Sequence, residues 1–215
     1  MADLRRDARS SLTRTAARLS AASTVIGAGL VVASVVATRR LWFGGYVSEA
    51  GVAAEPQAST YRWGILGLAL GLLLLALALV RVSPLAAVLL AGSGVFAALS
   101  GSVSCSGNCP LPPYESATTA DLVHGGASIL AVGAATLAIA ALAITREDTP
   151  LRRLSRLTFW IVGPLVVAVG VAMLVLGRGQ LTGLLERAIL LTATAWTLIA
   201  ALRTGAGTAT IGFRR

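Results

Sequence analysis

Six long apolar segments constrain this chain more than any other feature. Each is about 18 to 25 residues long, the length that a helix needs to cross ~30 Å of hydrocarbon. Hydrophobic residues make up 56% of the chain, charged residues make up 13%, and the mean hydropathy is +0.81. Such values are typical of membrane proteins and exclude an ordinary soluble domain. We therefore predict an all-α integral membrane protein, a six-transmembrane-helix bundle. Its segments cover about 19–38, 63–80, 85–103, 121–145, 157–177 and 185–202.

The arginines are distributed unevenly about these segments. With a cytoplasmic N-terminus, thirteen arginines and four acids lie on the inner side, a net charge of +9, and five of each lie on the outer side, a net charge of zero. This asymmetry follows the positive-inside rule. We therefore predict a multi-pass protein of a prokaryotic plasma membrane, with its N-terminus and C-terminus cytoplasmic. The basic side attracts anionic headgroups, so the predicted partners are membrane lipids and other membrane-protein subunits, and no nucleic acid.

The segments outside the membrane are short. The arginine-rich start of the chain fits either an amphipathic helix on the inner membrane surface or a disordered basic tail. A signal peptide is disfavoured, because the first apolar segment is too long for one and lacks a clean cleavage site. We predict a basic cytoplasmic N-terminal segment at 1–18, a transmembrane domain at 19–203 with outer loops at 39–62, 104–120 and 178–184, and a flexible cytoplasmic tail at 204–215.

Small and hydroxyl-bearing residues form stripes along several apolar segments. In the second segment, Gly67 and Gly71 form a pair that lets a neighbouring backbone approach closely. The third segment has a stripe of small residues, and the fourth has a stripe that begins with two ionisable residues. Both stripes should face protein, because lipid offers hydroxyl groups no partner. The third-segment stripe contains Ser93, Ala97, Ser100 and Ser104; the fourth-segment stripe contains Asp121, His124, Ser128, Ala131 and Ala135, with Val123, Leu130 and Leu137 on the opposite, lipid-facing side.

Aromatic residues are concentrated around the first outer loop. They suit the headgroup layer, where a ring can be half buried while its polar edge stays hydrated. The favoured interpretation is an interfacial aromatic belt, and the alternative is an aromatic platform for a ligand. The residues are Trp42, Phe43, Tyr46, Tyr61 and Trp63.

Both cysteines lie in the second outer loop, as Cys105-Ser-Gly-Asn-Cys109. Turn residues between them can bend the chain enough for a disulfide, which would persist outside the cytoplasm. We predict that disulfide, with two reduced thiols as the alternative. A zinc site would need further ligands, and only His124 is nearby, so the sequence predicts no metal and no cofactor.

Asp121 and His124 begin the fourth apolar segment, three residues apart. An aspartate at a helix N-terminus can cap backbone N–H groups and complement the helix dipole, and the histidine would then bond to it or to a seam hydroxyl. The functional alternative is an acid/base pair in which the carboxylate orients the imidazole. The two interpretations remain open on sequence alone.

The ionisable residues at the outer helix ends could converge on one outward-facing polar pocket. The candidate pocket residues are Ser48, Glu49, Asp121, His124, Ser128, Glu186 and Arg187. An alternative for the last two is a capping acid and a snorkelling arginine. No ionisable residue lies near the middle of any apolar segment, which disfavours a coupled transporter or ion channel.

Three short motifs resemble one known family. They are Ser48-Glu49-Ala50-Gly51, Asp121-Leu-Val-His124-Gly125, and Gly183-Leu-Leu-Glu186-Arg187 followed by Trp196. In this order they are similar to the prokaryotic six-helix membrane family catalogued as domain of unknown function 998, over about residues 20–203. The resemblance implies a compact six-helix membrane domain and no particular activity. The cysteine loop resembles a feature of some members, of actinobacterial type, rather than the family's core.

Two functions are weighed from these features. The favoured hypothesis is a non-catalytic protein that holds lipid or acts as an accessory component of a larger membrane or envelope complex, because small-residue seams predominate and ionisable groups are few. The alternative is an enzyme acting on a lipid or isoprenoid headgroup at the outer leaflet. There His124 would be the general base and Asp121 its orienting group, and Glu49 or Glu186 with Arg187 would bind an anionic group.

Overall fold

Six long helices make up most of the structure. The computed structural model describes residues 2–38, 45–110, 112, 114–146 and 149–206. Within these residues there is no strand, and all six helices are long and apolar enough to span a membrane. The predicted six-helix integral membrane bundle is therefore confirmed. The helices are α1 (Ala2–Ala37), α2 (Ala58–Leu79), α3 (Pro84–Ser102), α4 (Thr119–Ala143), α5 (Pro150–Val175) and α6 (Gln180–Gly205), and a short 3-10 helix covers Val47–Gly51.

Capping residues set the helix starts. Ser83 accepts a hydrogen bond from the Ala86 N–H just before Pro84, the first residue of α3. Thr149 accepts from the Arg152 N–H and precedes Pro150 in the same way. Hydropathy marks only the part of a helix inside hydrocarbon, whereas caps mark its end. For that reason α5 begins at Pro150 rather than near 157.

The N-terminal helix extends well beyond the first apolar segment. At 1.5 Å per residue its 36 residues span about 54 Å, more than the ~30 Å of hydrocarbon. The sequence left open an amphipathic surface helix or a disordered tail at the start of the chain. The structure has a helix there: the backbone from Ala2 is helical and continuous with the membrane-spanning part. A single helix, α1, therefore connects the arginine-rich start of the chain to the bundle.

The helices form a closed ring. Each helix packs against the next along the chain, and α1 packs against α6 to complete the ring. The described loop residues 45–57, 103–110, 114–118 and 176–179 lie at one end, which we call the cap end. The described turn residues 80–83, 144–146 and 149 lie at the opposite end, which we call the far end. The side of the membrane that each end faces stays a prediction. The loop residues 39–44 and the tail residues 207–215, including Trp42 and Phe43, lie outside the described residues.

Glycines bring α1 and α2 into backbone contact. A Cβ on Gly27 would lie 2.6 Å from the Leu68 nitrogen, so no side chain fits there. Two serines of α1 also donate across the interface, Ser20 to the Gly71 carbonyl at 2.7 Å and Ser23 to the Gly67 carbonyl at 2.8 Å. The predicted close approach at Gly67 and Gly71 is confirmed, with α1 as the neighbour.

The predicted seam between α3 and α4 is also present. The Ser93 hydroxyl donates to the Ala131 carbonyl at 2.8 Å, and the Ser100 and Ser128 hydroxyls are 2.7 Å apart. On the opposite side of α4, Leu130 is exposed to the membrane environment, as predicted. At this seam, hydroxyl groups of one helix thus bond to groups of the neighbouring helix.

An apolar core fills the far half of the bundle. Trp196 is the largest fully buried side chain, and its indole N–H donates to the Ser155 hydroxyl at 3.1 Å. Around it, large aliphatic side chains from three helices pack with almost no exposed surface. They include Leu75, Leu79, Leu90, Ile139 and Leu142.

Candidate functional site

Glu49 is the centre of a polar cluster at the cap end. It lies on the 3-10 helix, is fully buried, and accepts two hydrogen bonds from Arg178, at 2.8 and 2.7 Å. Its carboxylate also accepts the Tyr46 N–H at 2.8 Å. The bidentate contact with Glu49 raises the pKa of Arg178 above its ordinary value, so the guanidinium stays charged. The pair ties the 3-10 helix to the loop between α5 and α6.

Two residues of α6 hold the same segment. The Glu186 carboxylate accepts the Val47 N–H at 2.8 Å. Arg187 donates to the Gly45 carbonyl at 3.2 Å and to the Gly183 carbonyl at 2.7 Å. Together with Glu49 and Arg178 these residues form what we call the cap clamp, which docks segment 45–51 on the start of α6.

The clamp requires glycine at two positions. Gly45 has φ of +76°, and a Cβ there would lie 2.4 Å from a Glu49 carboxylate oxygen. A Cβ on Gly183 would lie 2.2 Å from the Gly45 carbonyl oxygen. A left-handed backbone and this close approach both favour glycine. The Gly183 motif noted in the sequence is therefore a contact surface for the 3-10 segment.

Asp121 caps α4 and holds the cysteine loop. Its carboxylate accepts the Thr118 N–H at 2.8 Å and the Thr118 hydroxyl at 2.7 Å. It also accepts the Ser106 N–H at 2.6 Å and the Ser106 hydroxyl at 2.9 Å. The capping interpretation is confirmed. Of the two partners expected for His124, the seam hydroxyl is present, because the Ser100 hydroxyl lies 3.3 Å from Nδ1, and a hydrogen bond to Asp121 is not among the contacts of the described residues. Four donors already satisfy the carboxylate, which explains why it does not orient the imidazole.

His124 bonds to α3 instead. Its Nδ1 lies 2.9 Å from the carbonyl oxygens of both Ser100 and Val103, and 3.3 Å from the Ser100 hydroxyl. The other ring nitrogen, Nε2, is buried and has no hydrogen-bond partner among the described residues. Ser128, one turn further along α4, donates to the His124 carbonyl at 2.9 Å. The imidazole therefore joins the end of α3 to the start of α4.

The two cysteines are at disulfide distance, as predicted. Their Cα atoms are 4.9 Å apart, and both side chains are buried. The loop turns tightly between them, with Asn108 and Cys109 in the left-handed region at φ of 69° and 49°. Tyr46 and Val52 pack against the pair. The cysteine loop thus packs against the segment 45–51 that the cap clamp holds, through Tyr46.

Tyr46 contacts both the cap clamp and the cysteine loop. Its N–H donates to Glu49, while its ring packs on the cysteines. Burial, followed by the nearby Glu186 carboxylate, raises the pKa of Tyr46 to about 12. The phenol therefore stays neutral over the physiological range.

A groove beside the start of α2 is the larger of two described cavities. It has a volume of about 640 Å³. Arg62, in its wall, donates from Nε and Nη2 to the Gly51 carbonyl and from Nη2 to the Ser104 hydroxyl. We call this the cap groove; its lining residues are Ala53, Glu55, Pro56, Ala58, Ser59, Arg62, Trp63, Leu66, Gly101 and Ser102.

None of the seven predicted pocket residues lines the cap groove. Glu49, Glu186 and Arg187 belong to the clamp, and Asp121, His124 and Ser128 hold the α3–α4 junction. Ser48 is half-buried on the 3-10 helix. The expected convergence on one pocket is replaced by two structural clusters, because buried charges need internal partners. Sequence reasoning missed the groove, although Arg62 between two aromatic residues at a helix start was a usable signal.

A smaller cavity lies inside the bundle. Its volume is about 110 Å³, and residues from α1, α2, α3, α4 and α6 line it. Most of these side chains are apolar, and the Thr24 hydroxyl in its wall has no partner among the described residues. This space is far below the ~300 Å³ at which ligand pockets begin, so the cap groove is the stronger candidate binding site.

A family model matches most of the chain. Residues 25–203 match the family model described as Protein of unknown function (DUF998). The chain belongs to this family. No curated protein and no solved structure matches it. In this DUF998 chain, Glu49, Glu186 and Arg187 form part of the cap clamp, and Asp121 and His124 hold the α3–α4 junction.

Proposed function

We propose that this protein is a non-catalytic membrane component that holds a phospholipid in the cap groove. The observation that carries the proposal is an anchored guanidinium, that of Arg62, in the wall of a groove that also has the apolar side chains of Trp63 and Leu66. Its volume of about 640 Å³ lies within the ~300–1,000 Å³ of small-molecule sites. Binding rests on three features: charge, apolar surface and position.

The charge is supplied by Arg62. Two of its three nitrogens, Nε and Nη2, are used in holding Gly51 and Ser104, and Nη1 donates to none of the described residues. Nη1 can therefore donate to a phosphate oxygen, and the fixed positive charge of the guanidinium attracts the phosphate.

The apolar surface continues from the groove along α2. Trp63 is 65% exposed, and Leu66 follows one turn deeper. Tryptophan at a helix start favours the headgroup layer, where its ring contacts the upper acyl chain. The groove therefore offers a phosphate contact above and a chain contact below, in the order of a phospholipid.

The contacts at the α3–α4 junction favour binding over catalysis. His124 is 7% exposed, its Nδ1 faces carbonyl groups, and Asp121 bonds to Ser106 and Thr118. The enzymatic hypothesis needs this histidine to reach a headgroup with an orienting carboxylate. Among the described groove residues there is no histidine or cysteine. The accessory role in a larger complex stays a prediction without a contact that favours it.

Lipid retention tests the proposal. The protein is exchanged from nanodiscs of phosphatidylethanolamine and phosphatidylglycerol into detergent, and retained lipids are counted by native mass spectrometry. We expect one tightly retained phospholipid, unchanged in mass, and at least a tenfold lower occupancy in Arg62→Gln. The matched control is Arg81→Gln, because Arg81 is an exposed arginine in the far-end turn.

Arg62 also supports the cap, so a second variant separates binding from folding. Trp63→Ala removes an exposed ring and should lower lipid occupancy while the thermal midpoint stays unchanged. The proposal is wrong if wild type retains no lipid, or if both groove variants retain as much as Arg81→Gln. A shift in the mass of the lipid after incubation would instead indicate chemistry.

A further inference from the structure

The chain has two cysteines and one histidine, and the structure places all three side chains close together. One ligand atom from each of Cys105, Cys109 and His124 can be chosen so that all three lie within 4.8 Å of one another. All three side chains are more than nine-tenths buried, with exposures of 4%, 6% and 7%. They share no lining residue with the cap groove, so the inference that follows is independent of lipid binding.

The hydrogen bonds of His124 determine which ring nitrogen is available. Carbonyl oxygens only accept, and Nδ1 faces two of them, from Ser100 and Val103. Nδ1 is therefore the protonated nitrogen, and Nε2 carries a lone pair. Nε2 is buried without a partner among the described residues, which is unfavourable for a polar atom. Histidine ligands of metals show the same division, with the second ring nitrogen donating to a carbonyl or carboxylate.

The cysteine loop is fixed relative to this histidine. Asp121 and His124 stand three residues apart on α4, and Asp121 accepts two hydrogen bonds from Ser106, the residue after Cys105. The Cys-x3-Cys spacing is within the range found at zinc sites. One helix thus positions both the imidazole and the loop that carries the sulfurs.

We propose that the reduced loop binds one Zn²⁺ through Cys105 Sγ, Cys109 Sγ and His124 Nε2. Two thiolates balance the charge of the ion, and a neutral imidazole adds none, so a buried site is uncharged overall. Tetrahedral zinc with bonds of about 2.3 Å to sulfur and 2.0 Å to nitrogen separates its sulfurs by about 3.8 Å and sulfur from nitrogen by about 3.6 Å. The fourth position is left for water or an exogenous ligand.

The disulfide and the metal exclude each other, because they use the same two sulfur atoms. A dithiol or phosphine reductant supplies two electrons, and two protons are taken up as the S–S bond breaks to give two thiols. Zn²⁺ binding then forms two Zn–S bonds and releases two protons. The reverse path needs a disulfide oxidant, which accepts the two electrons after zinc dissociates.

Zinc titration of the full chain in detergent tests this site. The protein is reduced with a phosphine, freed of reductant under argon and titrated with Zn²⁺ against a chromophoric chelator. Reduced wild type should bind one equivalent and release two protons, and oxidised wild type should bind none. With Co²⁺ as the probe, thiolate-to-cobalt bands should appear only in the reduced protein. The oxidised and reduced samples require no substitution, so folding of a variant is not an issue.

Variants identify the ligands. His124→Ala should weaken zinc binding at least about tenfold, and Cys105→Ser by at least as much. Ser128→Ala is the matched control, because Ser128 contacts the same junction and is not one of the three proposed ligands. The proposal is overturned if reduced wild type binds no zinc, or if His124→Ala in its oxidised form is folded and, once reduced, binds as wild type does.

Discussion

The two ends of the bundle are stabilised in different ways. At the far end, short turns join the helices, and the interior is apolar around Trp196. At the cap end, long loops cover the helices, and buried ionic and hydrogen-bonding groups hold them. Loop backbone cannot satisfy itself as a helix does, so its polar groups need side-chain partners. Packing therefore dominates where turns are short, and polar contacts dominate where loops are long.

The comparison predicts the largest loss of stability from an apolar substitution at the far end. Trp196→Ala should lower the free energy of unfolding by about 3–5 kcal/mol, because it leaves a cavity and removes the hydrogen bond to Ser155. An SDS titration in detergent micelles measures this change. Trp160→Ala is the control, since that ring is 71% exposed, and its substitution should change stability by less than about 0.5 kcal/mol. Equal losses of unfolding free energy in Trp196→Ala and Trp160→Ala would contradict the assignment of Trp196 to the core and Trp160 to the outer surface of the bundle.

A second prediction concerns the cap clamp. Glu49→Ala leaves Arg178 and the Tyr46 N–H without their buried acceptor, and should cost about 3 kcal/mol. Hydrogen exchange should accelerate in segment 46–52 more than in α5. Glu115→Ala, at an exposed acid of the same end, is the control and should be nearly neutral. If protection is lost uniformly through the bundle, the cap end is not a separate unit.

A third prediction concerns the close approach at Gly183. Gly183→Ala places a methyl group against the Gly45 carbonyl and should cost about 1–3 kcal/mol, because backbone has to move. Thermal unfolding in detergent would record the change. Gly133→Ala has open space around the new methyl group and should be neutral or stabilising by up to ~1 kcal/mol. A neutral Gly183→Ala would contradict the docking of segment 45–51 on α6.

The smallest expected effect lies between the two ends, at the α3–α4 seam. Ser93→Ala removes the hydrogen bond to the Ala131 carbonyl and should cost about 0.6 kcal/mol, the average for such bonds in membranes. Ser102→Ala serves as control, because its hydroxyl bonds within its own helix. SDS titration measures the loss of unfolding free energy in each variant. A loss in Ser93→Ala that exceeds the loss in Ser102→Ala by more than about 2 kcal/mol would contradict the prediction, because it would make the seam a main source of the bundle's stability.

Much of the fold was predictable because each segment carries its own signal. The six helices, the glycine contact at Gly67 and the serine seam at Ser93 all follow from local composition and spacing. Helix ends were less well predicted, since caps such as Thr149 lie outside the apolar segments. The capping role of Asp121 was open on sequence and is settled by its contacts with Thr118.

The candidate sites were harder to predict because their parts are distant along the chain. Glu49 and Arg178 are separated by 129 residues, and a charged residue in a loop gives no sign of its partner. Six of the seven residues expected in one pocket are instead divided between two clusters. The cap groove forms where α2, α3 and the loop before α2 meet. Its lining residues, taken one by one, resemble an ordinary membrane interface.

The sequence by itself determined that the chain crosses a membrane six times, because every crossing must be apolar over its own length. It also determined which helix faces carry small residues. Only the tertiary structure decided which loop meets which helix. That contact settles whether a buried carboxylate binds an arginine or a backbone N–H, and it brings His124 beside two cysteines. Polar groups removed from water pair with whatever the fold places within about 3 Å, and no local pattern contains that information.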